Sequence, residues 1–219
     1  MKKNNILISP SILAADFSML GQEVTNIDIA GADWIHLDIM DGHFVESISF
    51  GHPIVQSVRN LTDLPIEVHL MVDNPIEYID SFLEIGVNIF TFHIESVDNP
   101  SKLINKIKES DSEVGIALNP DTEINQIAPY LDDIDRVLFM TVYPGKGGQS
   151  YLKFVNEKIK LFVSDFSSKN ILVGVDGGIK SETIKEPYDC GARMFVSGTG
   201  ILNNVLGYLG AVNDLRKST

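Results

Sequence analysis

The alternation of short β-branched segments with longer amphipathic segments most restricts the fold of this 219-residue chain. Each of eight strand-like segments is followed by a segment with the apolar spacing of a helix. The predicted strands are residues 5–9, 34–40, 66–71, 88–94, 113–119, 136–142, 171–176 and 193–197. The predicted helices are residues 17–29, 53–60, 75–85, 101–109, 122–131, 151–166, 182–190 and 205–215. No Pro/Gly/Ser-rich linker interrupts this alternation, so we expect a single domain over residues 1–219.

Eight such units in about 220 residues lie near the lower size limit of a TIM (β/α)8 barrel. A doubly wound open sheet is the alternative, because both folds contain parallel strands that are apolar on both faces. The positions of the polar residues favour the barrel, whose active site forms at the carboxyl ends of the strands. The polar residues that lie late in predicted strands are Ser9, His36, Asp38, His69 and Asp176. We therefore predict an α/β fold, a single-domain TIM barrel.

The second predicted strand carries metal-type ligands on one face. Successive side chains of a strand point to opposite faces, so His36, Asp38 and Met40 share a face. The third strand repeats this pattern with His69 and Met71. Two strands of this kind predict either a ligand site or a buried, hydrogen-bonded His-Asp pair. Buried carboxylates at strand ends are costly unless they are paired or bound to a metal.

Glycine clusters follow the last three predicted strands, at residues 144–148, 176–178 and 197–200. Glycine lets the backbone approach a ligand closely, so that consecutive N–H groups can face phosphate oxygens. The loops after strands seven and eight are the common phosphate site of a TIM barrel. These clusters therefore predict a phosphorylated substrate.

Composition excludes several classes of function. A net charge of −13 argues against nucleic acid as a partner, because phosphate-backbone binding needs a basic surface. No segment approaches the roughly 18 apolar residues of a membrane span, and the polar N-terminal residues do not form a signal sequence. The single Cys190 excludes an internal disulfide framework and is typical of a reducing compartment. We expect a cytoplasmic protein with no membrane partner.

Six segments of the chain resemble the ribulose-phosphate 3-epimerase family, and together they run almost from end to end. They are SPSILAADF (9–17), AGADWIHLDIMDGHFV (30–45), VHLMV (68–72), TFHIES (91–96), MTVYPGKGGQS (140–150) and VDGG (175–178). The resemblance implies a TIM barrel that interconverts D-ribulose 5-phosphate and D-xylulose 5-phosphate. It also implies one divalent metal ion, which could be Zn, Fe(II), Mn or Co. We expect a homo-oligomer, although the sequence does not give the number of subunits.

The resemblance also implies the roles of individual residues. The metal ligands would be His36, Asp38, His69 and Asp176. Asp38 would accept the C3 proton and Asp176 would donate one to the opposite face, in the direction from ribulose to xylulose phosphate. The implied substrate-binding residues are Ser9, His69, Met40, Met71, Met140, Gly145, Lys146, Gly147, Gly148, Gly177, Gly178, Gly198 and Thr199.

The sequence departs from the usual family pattern near the substrate. Tyr143 and Lys146 stand where an amide and an aromatic residue are usual, and Ile94 replaces a proline. D-allulose 6-phosphate 3-epimerase therefore remains an alternative within the fold. A sugar-phosphate lyase of the same barrel type is a more distant one, because its Asp-x-Lys motif is absent here. A non-catalytic sugar-phosphate binder is disfavoured because Asp38 and Asp176 are both retained.

Overall fold

The structure, a computed structural model, describes residues 6–219 and contains eight parallel strands in one sheet. The strands are β1 (Leu7–Pro10), β2 (Ile35–Met40), β3 (Ile66–Met71), β4 (Ile89–His93), β5 (Glu113–Leu118), β6 (Arg136–Met140), β7 (Leu172–Asp176) and β8 (Met194–Ser197). They pair in the order β1-β8-β7-β6-β5-β4-β3-β2. A parallel bridge between Ser11 and His36 nearly closes the ring between β1 and β2. The TIM-barrel prediction is confirmed, although residue 5 of the first predicted strand lies outside the described residues.

Within residues 6–219, eight α-helices connect the strands or follow them. They are α1 (Leu20–Ile29), α2 (His52–Arg59), α3 (Ile79–Ile85), α4 (Pro100–Lys108), α5 (Val155–Asp165), α6 (Lys185–Asp189), α7 (Thr199–Leu202) and α8 (Gly207–Lys217). Short 3-10 turns at Phe17–Met19 and Pro75–Glu77 precede α1 and α3 within two of the predicted helices. The α7 helix is not predicted by the sequence pattern.

The helix predicted at residues 122–131 is wrong. Two 3-10 turns, Ile124–Gln126 and Ala128–Tyr130, occupy this segment. Pro129 lies in the second of them and has no backbone N–H to donate to the carbonyl four residues earlier, which interrupts an α-helical ladder. The apolar spacing of the segment is preserved by the turns, because Ile127 and Leu131 are still buried.

The described residues form two main hydrophobic clusters and a third, small one of Met40, Val45 and Met71. The larger main cluster lies between the outer face of the strands and the helices, where Ile35, Leu37 and Ile39 of β2 contribute their side chains. The smaller main cluster fills the barrel interior, with Leu138, Met140, Met194 and Val196 packed together and Leu7, Trp34 and Leu172 against them. The interior is polar where the side chains of β2, β3 and β4 face it. The buried polar side chains there are His36, Asp38, Glu67, His69, Thr91 and His93.

Candidate active site and metal centre

Two imidazoles and two carboxylates meet inside the barrel near the carboxyl ends of β2, β3 and β7. One ligand atom from each of His36, Asp38, His69 and Asp176 lies within 4.8 Å of the others. His69 Nδ1 is 3.1 Å from an Asp38 oxygen and 3.6 Å from an Asp176 oxygen. His36 Nε2 is 3.2 Å and 3.9 Å from oxygens of the same two carboxylates. The structure thus brings together the four residues that the sequence analysis assigned to a metal.

Strand register explains this convergence. Asp38 is the direct neighbour of His69 on the adjacent parallel strand, and Met40 is the neighbour of Met71. Asp176 is the last residue of β7, and its neighbour on β6 is Met140. The hydroxyl of Thr141 shares its proton between the backbone carbonyls of Asp176, at 2.9 Å, and Gly177, at 2.6 Å. This three-centre hydrogen bond fixes the end of β7. Curvature of the barrel then carries Asp176 across to β2 and β3.

The two carboxylates of the cluster line a cleft whose empty space, including the part open to solvent, is about 620 Å³. Met40, Met71 and Met140 line this cleft beside Asp38 and Asp176. The three methionines are nearly completely buried. They form an apolar, adaptable wall next to the carboxylates.

The predicted glycine clusters line the same cleft. Its lining includes Gly145, Lys146, Gly147, Gly148, Gly177, Gly178, Gly198 and Thr199. Gly177 and Gly178 have φ of +118° and +66°, which side chains rarely allow. A Cβ atom at Gly177 would lie 2.4 Å from Val142, and one at Gly178 would lie 2.6 Å from the backbone nitrogen of Tyr151. Glycine is therefore required where the loop after β7 packs against its neighbours.

The assignment of Ser9 as a residue that contacts substrate is corrected by the structure. Leu7 packs against the interior core, so strand alternation also turns Ser9 inward, and Ser11 follows two residues nearer the cleft. Ser11 lines the cleft and donates a 2.6 Å hydrogen bond to Asp38 Oδ2. Ser9 is fully buried, does not line the cleft, and its hydroxyl has no hydrogen-bond partner among residues 6–219. The segment SPS contains two serines two residues apart, and only the second of them reaches the cleft.

Two further sets of side chains surround the cluster, and the sequence analysis missed both. His36 Nδ1 is 2.8 Å from Glu67 Oε2, while Thr91 donates to Glu67 Oε1 at 2.6 Å. His69 Nε2 is 2.9 Å from His93 Nε2. Strand alternation is the signal that could have found them, because Glu67 precedes His69 by two positions and Thr91 precedes His93 by two.

The surroundings shift the pKa values of the two carboxyl groups in opposite directions. Burial alone would raise the pKa of Asp38, but the imidazoles of His36 and His69 outweigh burial and lower it. At Asp176 burial is reinforced by the negative charge of Asp38, so its pKa is raised. Neighbouring carboxyl groups whose pKa values are pushed apart are typical of acid/base pairs. Glu67 is also buried, yet His36 and Arg136 lower its pKa to about 2, which keeps it an acceptor for His36.

The donor atoms fit a divalent cation. Glu67 engages Nδ1 of His36 and His93 engages Nε2 of His69. The other ring nitrogens, His36 Nε2 and His69 Nδ1, lie 3.3 Å apart and face the two aspartates. Two imidazole nitrogens and two carboxylate oxygens suit Zn, Fe(II), Mn or Co, and the hydrogen bonds to the outer nitrogens are usual for metal-binding histidines.

A parallel eight-stranded barrel with this cluster and these glycine loops at the carboxyl ends of its strands is a TIM-barrel enzyme. The family model described as "Ribulose-phosphate 3 epimerase family" matches residues 7–202. The chain belongs to the ribulose-phosphate 3-epimerase family, and it is an isomerase that acts on carbohydrates. Among the described residues, no helix has the length and apolarity that a membrane crossing requires.

Similar proteins agree with this assignment. A ribulose-phosphate 3-epimerase of Bacillus subtilis (strain 168) is 42% identical over 199 residues, which cover 90% of this chain and 92% of the relative. A chloroplastic ribulose-5-phosphate-3-epimerase of Arabidopsis thaliana is 36% identical over 99% of this chain and 78% of its own length. The crystal structure of KGPDC from Streptococcus mutans has a TM-score of 0.70, with coverage of 98% of this chain and 97% of that one. At 16% identity that structure shows a common fold only.

Proposed function

We propose that this enzyme interconverts D-ribulose 5-phosphate and D-xylulose 5-phosphate by moving a proton at C3. The observation that carries the proposal is the approach of Asp38 and Asp176, from β2 and β7, to one cleft that glycine loops also line. Two relatives with the ribulose-phosphate 3-epimerase name are 42% and 40% identical to the chain. The substrate would place its phosphate at the glycine loops and its C2 and C3 atoms beside the carboxylates.

Two carboxyl groups are needed because epimerisation removes a proton from one face of C3 and returns one to the other face. Asp38 as a carboxylate would take the C3 proton, and the electron pair of the C–H bond would form an enediolate with the C2 carbonyl. Asp176 in its protonated form would then give a proton to the opposite face. The reverse reaction requires the two residues to exchange roles.

In the metal-free site, Asp38 is the carboxyl group whose pKa is lowered and Asp176 the one whose pKa is raised, which is the order that a base and an acid require. Ser11 would hold Asp38 in place through its hydrogen bond. The buried methionines would exclude water from the enediolate. Positioned acid/base groups contribute typically 10²–10⁴-fold to the rate.

We propose that one divalent ion, Zn, Fe(II), Mn or Co, is held by His36, Asp38, His69 and Asp176. When bound, such an ion supplies Lewis-acid stabilisation for the negative charge that develops on the substrate oxygens. Elemental analysis of the purified protein would identify the metal and its stoichiometry.

The phosphate group would be bound mainly by backbone N–H groups of the three glycine loops. Lys146 lies among them and is exposed at the rim of the cleft. Its ammonium would partly offset the repulsion between a dianionic substrate and a chain with a net charge of −13.

The substrate assignment is tested by offering D-ribulose 5-phosphate and D-allulose 6-phosphate to the enzyme in parallel coupled assays. We expect a kcat/KM for the pentulose phosphate well above that for the hexulose phosphate. A higher value for the hexulose phosphate would overturn the pentulose assignment while keeping the epimerase chemistry. Turnover of neither substrate, with metal present, would contradict the proposal as a whole.

We also propose a homo-oligomer in a reducing compartment such as the cytoplasm. Large apolar side chains that remain exposed support the homo-oligomer, among them Ile29, Ile48 and Val205. The free, buried Cys190 supports the reducing compartment. Sedimentation velocity and cell fractionation test the two statements, and a purely monomeric or exported protein would contradict them.

A further inference from the structure

A chain of hydrogen-bonding groups runs outward from His69. Its Nε2 atom is 2.9 Å from His93 Nε2, and His93 Nδ1 is 3.1 Å from Glu95 Oε2. The other carboxylate oxygen of Glu95 accepts a 2.7 Å hydrogen bond from the backbone N–H of Asn119 and another from the hydroxyl of Thr122. These hydrogen bonds therefore link the imidazole of His69, in the barrel interior, to the segment that follows β5.

When His69 binds a cation through Nδ1, only one placement of the imidazole protons allows all of these hydrogen bonds to form. A neutral imidazole has one N–H and one lone pair, so a lone pair at Nδ1 places the proton of His69 on Nε2. His93 Nε2 must then accept that proton's hydrogen bond, which places the proton of His93 on Nδ1. That N–H is directed at the Glu95 carboxylate, which can only accept. The opposite arrangement would leave His69 with its lone pair on the wrong nitrogen.

Packing holds the His93 ring in the orientation that this arrangement needs. His93 is fully buried, and its ring lies edge to edge with that of His69, with centroids 4.9 Å apart and planes inclined by only 22°, as an in-plane hydrogen bond between their nitrogens requires. The ring of Phe44 lies against it with a centroid distance of 4.8 Å. With two aromatic neighbours, the imidazole has little freedom to rotate, so its two nitrogens remain directed at His69 and Glu95.

We propose that His93 and Glu95 are positioning residues that fix the tautomer and orientation of His69 for metal binding. The inference rests on the proposed metal site, and it adds two residues that would contact neither metal nor substrate. Glu95 sets the direction of the chain because a carboxylate has no proton to donate, and Asn119 and Thr122 hold that carboxylate in place.

The test measures the affinity of metal-free protein for Co²⁺ by competition with a chromophoric chelator. His93→Phe keeps a ring between His69 and Phe44 but removes both nitrogens, and Glu95→Gln removes the acceptor-only carboxylate. We expect each to weaken Co²⁺ binding by roughly 10- to 100-fold, the usual effect of losing a partner of a metal-binding histidine. His93→Gln retains an acceptor in its side-chain carbonyl and should restore part of the affinity lost in His93→Phe.

Asp73→Asn is the matched control for Glu95→Gln. Asp73 and Glu95 both line a second cleft, which is separate from the one at the metal cluster. Substitution of Asp73 therefore removes the same charge from the same part of the surface. Because no hydrogen bond links its side chain to His93 among the described residues, we expect Co²⁺ affinity within about twofold of the wild-type value. Equal losses in Asp73→Asn and Glu95→Gln would mean that net charge, and not the hydrogen-bond chain, controls affinity, and would overturn the inference.

A second measurement reads the proton positions directly. In Zn²⁺-loaded protein labelled with ¹⁵N-histidine, long-range ¹H–¹⁵N correlations should show the proton of His69 on Nε2 and that of His93 on Nδ1. A proton on Nε2 of His93 would refute the proposal. If His93→Phe does not fold, Glu95→Gln and the tautomer measurement decide.

The outcomes separate this inference from the proposed function. Wild-type protein that binds no Co²⁺ would refute the metal site itself. Tight binding by the wild-type protein and equally tight binding by His93→Phe and Glu95→Gln would refute the positioning role alone.

Discussion

The hydrogen bond from Ser11 to Asp38 gives the most discriminating prediction about the site. Ser11 Oγ is 2.6 Å from Asp38 Oδ2, and both residues are buried. A hydrogen bond to a charged group contributes about 1.5–3 kcal/mol. If the whole contribution is needed to hold Asp38 for proton transfer, its loss in Ser11→Ala lowers kcat/KM by roughly 10- to 150-fold, since about 1.4 kcal/mol corresponds to a factor of ten.

Ser9→Ala is the matched control, because the same hydroxyl is removed from the same segment two residues away. The Ser9 hydroxyl is buried with no hydrogen-bond partner among the described residues. An unpaired buried hydroxyl does not stabilise a fold, so Ser9→Ala should have unchanged activity and a free energy of unfolding that is equal or slightly higher.

Both variants are assayed in the coupled reaction with D-ribulose 5-phosphate, and their unfolding is followed by circular dichroism in urea. The reasoning is refuted if Ser9→Ala loses as much activity as Ser11→Ala, or if Ser11→Ala retains full activity. Lower stability of Ser11→Ala without a loss of kcat/KM would assign Ser11 a structural role only.

Further predictions concern the metal, the two carboxylates and the rim of the cleft. Removal of the metal by a chelator should abolish activity. The far-UV circular dichroism spectrum should stay largely unchanged, because the chain buries its own core. Full activity after complete metal removal, checked by elemental analysis, would contradict the metal assignment. Asp38→Asn and Asp176→Asn should each stop epimerisation, and any residual exchange of the C3 proton with deuterated solvent should come from a single epimer; near-wild-type turnover in both would exclude a two-base mechanism. Lys146→Ala should raise KM several-fold at low ionic strength and less at high salt, with kcat almost unchanged, whereas an unchanged KM across the salt series would show that the ammonium plays no part.

Much of the barrel is determined by local patterns that the sequence displays directly. Strand and helix periodicities arise from the geometry of each element, so they are visible without knowledge of its neighbours. The same alternation placed His36, Asp38 and Met40 on one face of β2, which the structure shows to be the barrel interior. The helix predicted at residues 122–131 is an error because its apolar spacing suits both an α-helix and successive 3-10 turns, and Pro129 decides between them.

Only the tertiary structure decides which distant residues meet and which of two similar residues faces the cleft. Asp176 is far from His36 in the sequence, and the closing of eight strands into a ring brings their side chains within 3.9 Å. Ser9 and Ser11 have the same side chain two positions apart, but they lie at different depths inside the barrel. The contacts of His93 and Glu95 with their partners depend on the register of β3 against β4 and on the path of the chain after β5. Periodicity fixes the direction of a side chain. Its depth inside the barrel and its contacts depend on how the strands assemble, because they are set by elements that are remote in sequence.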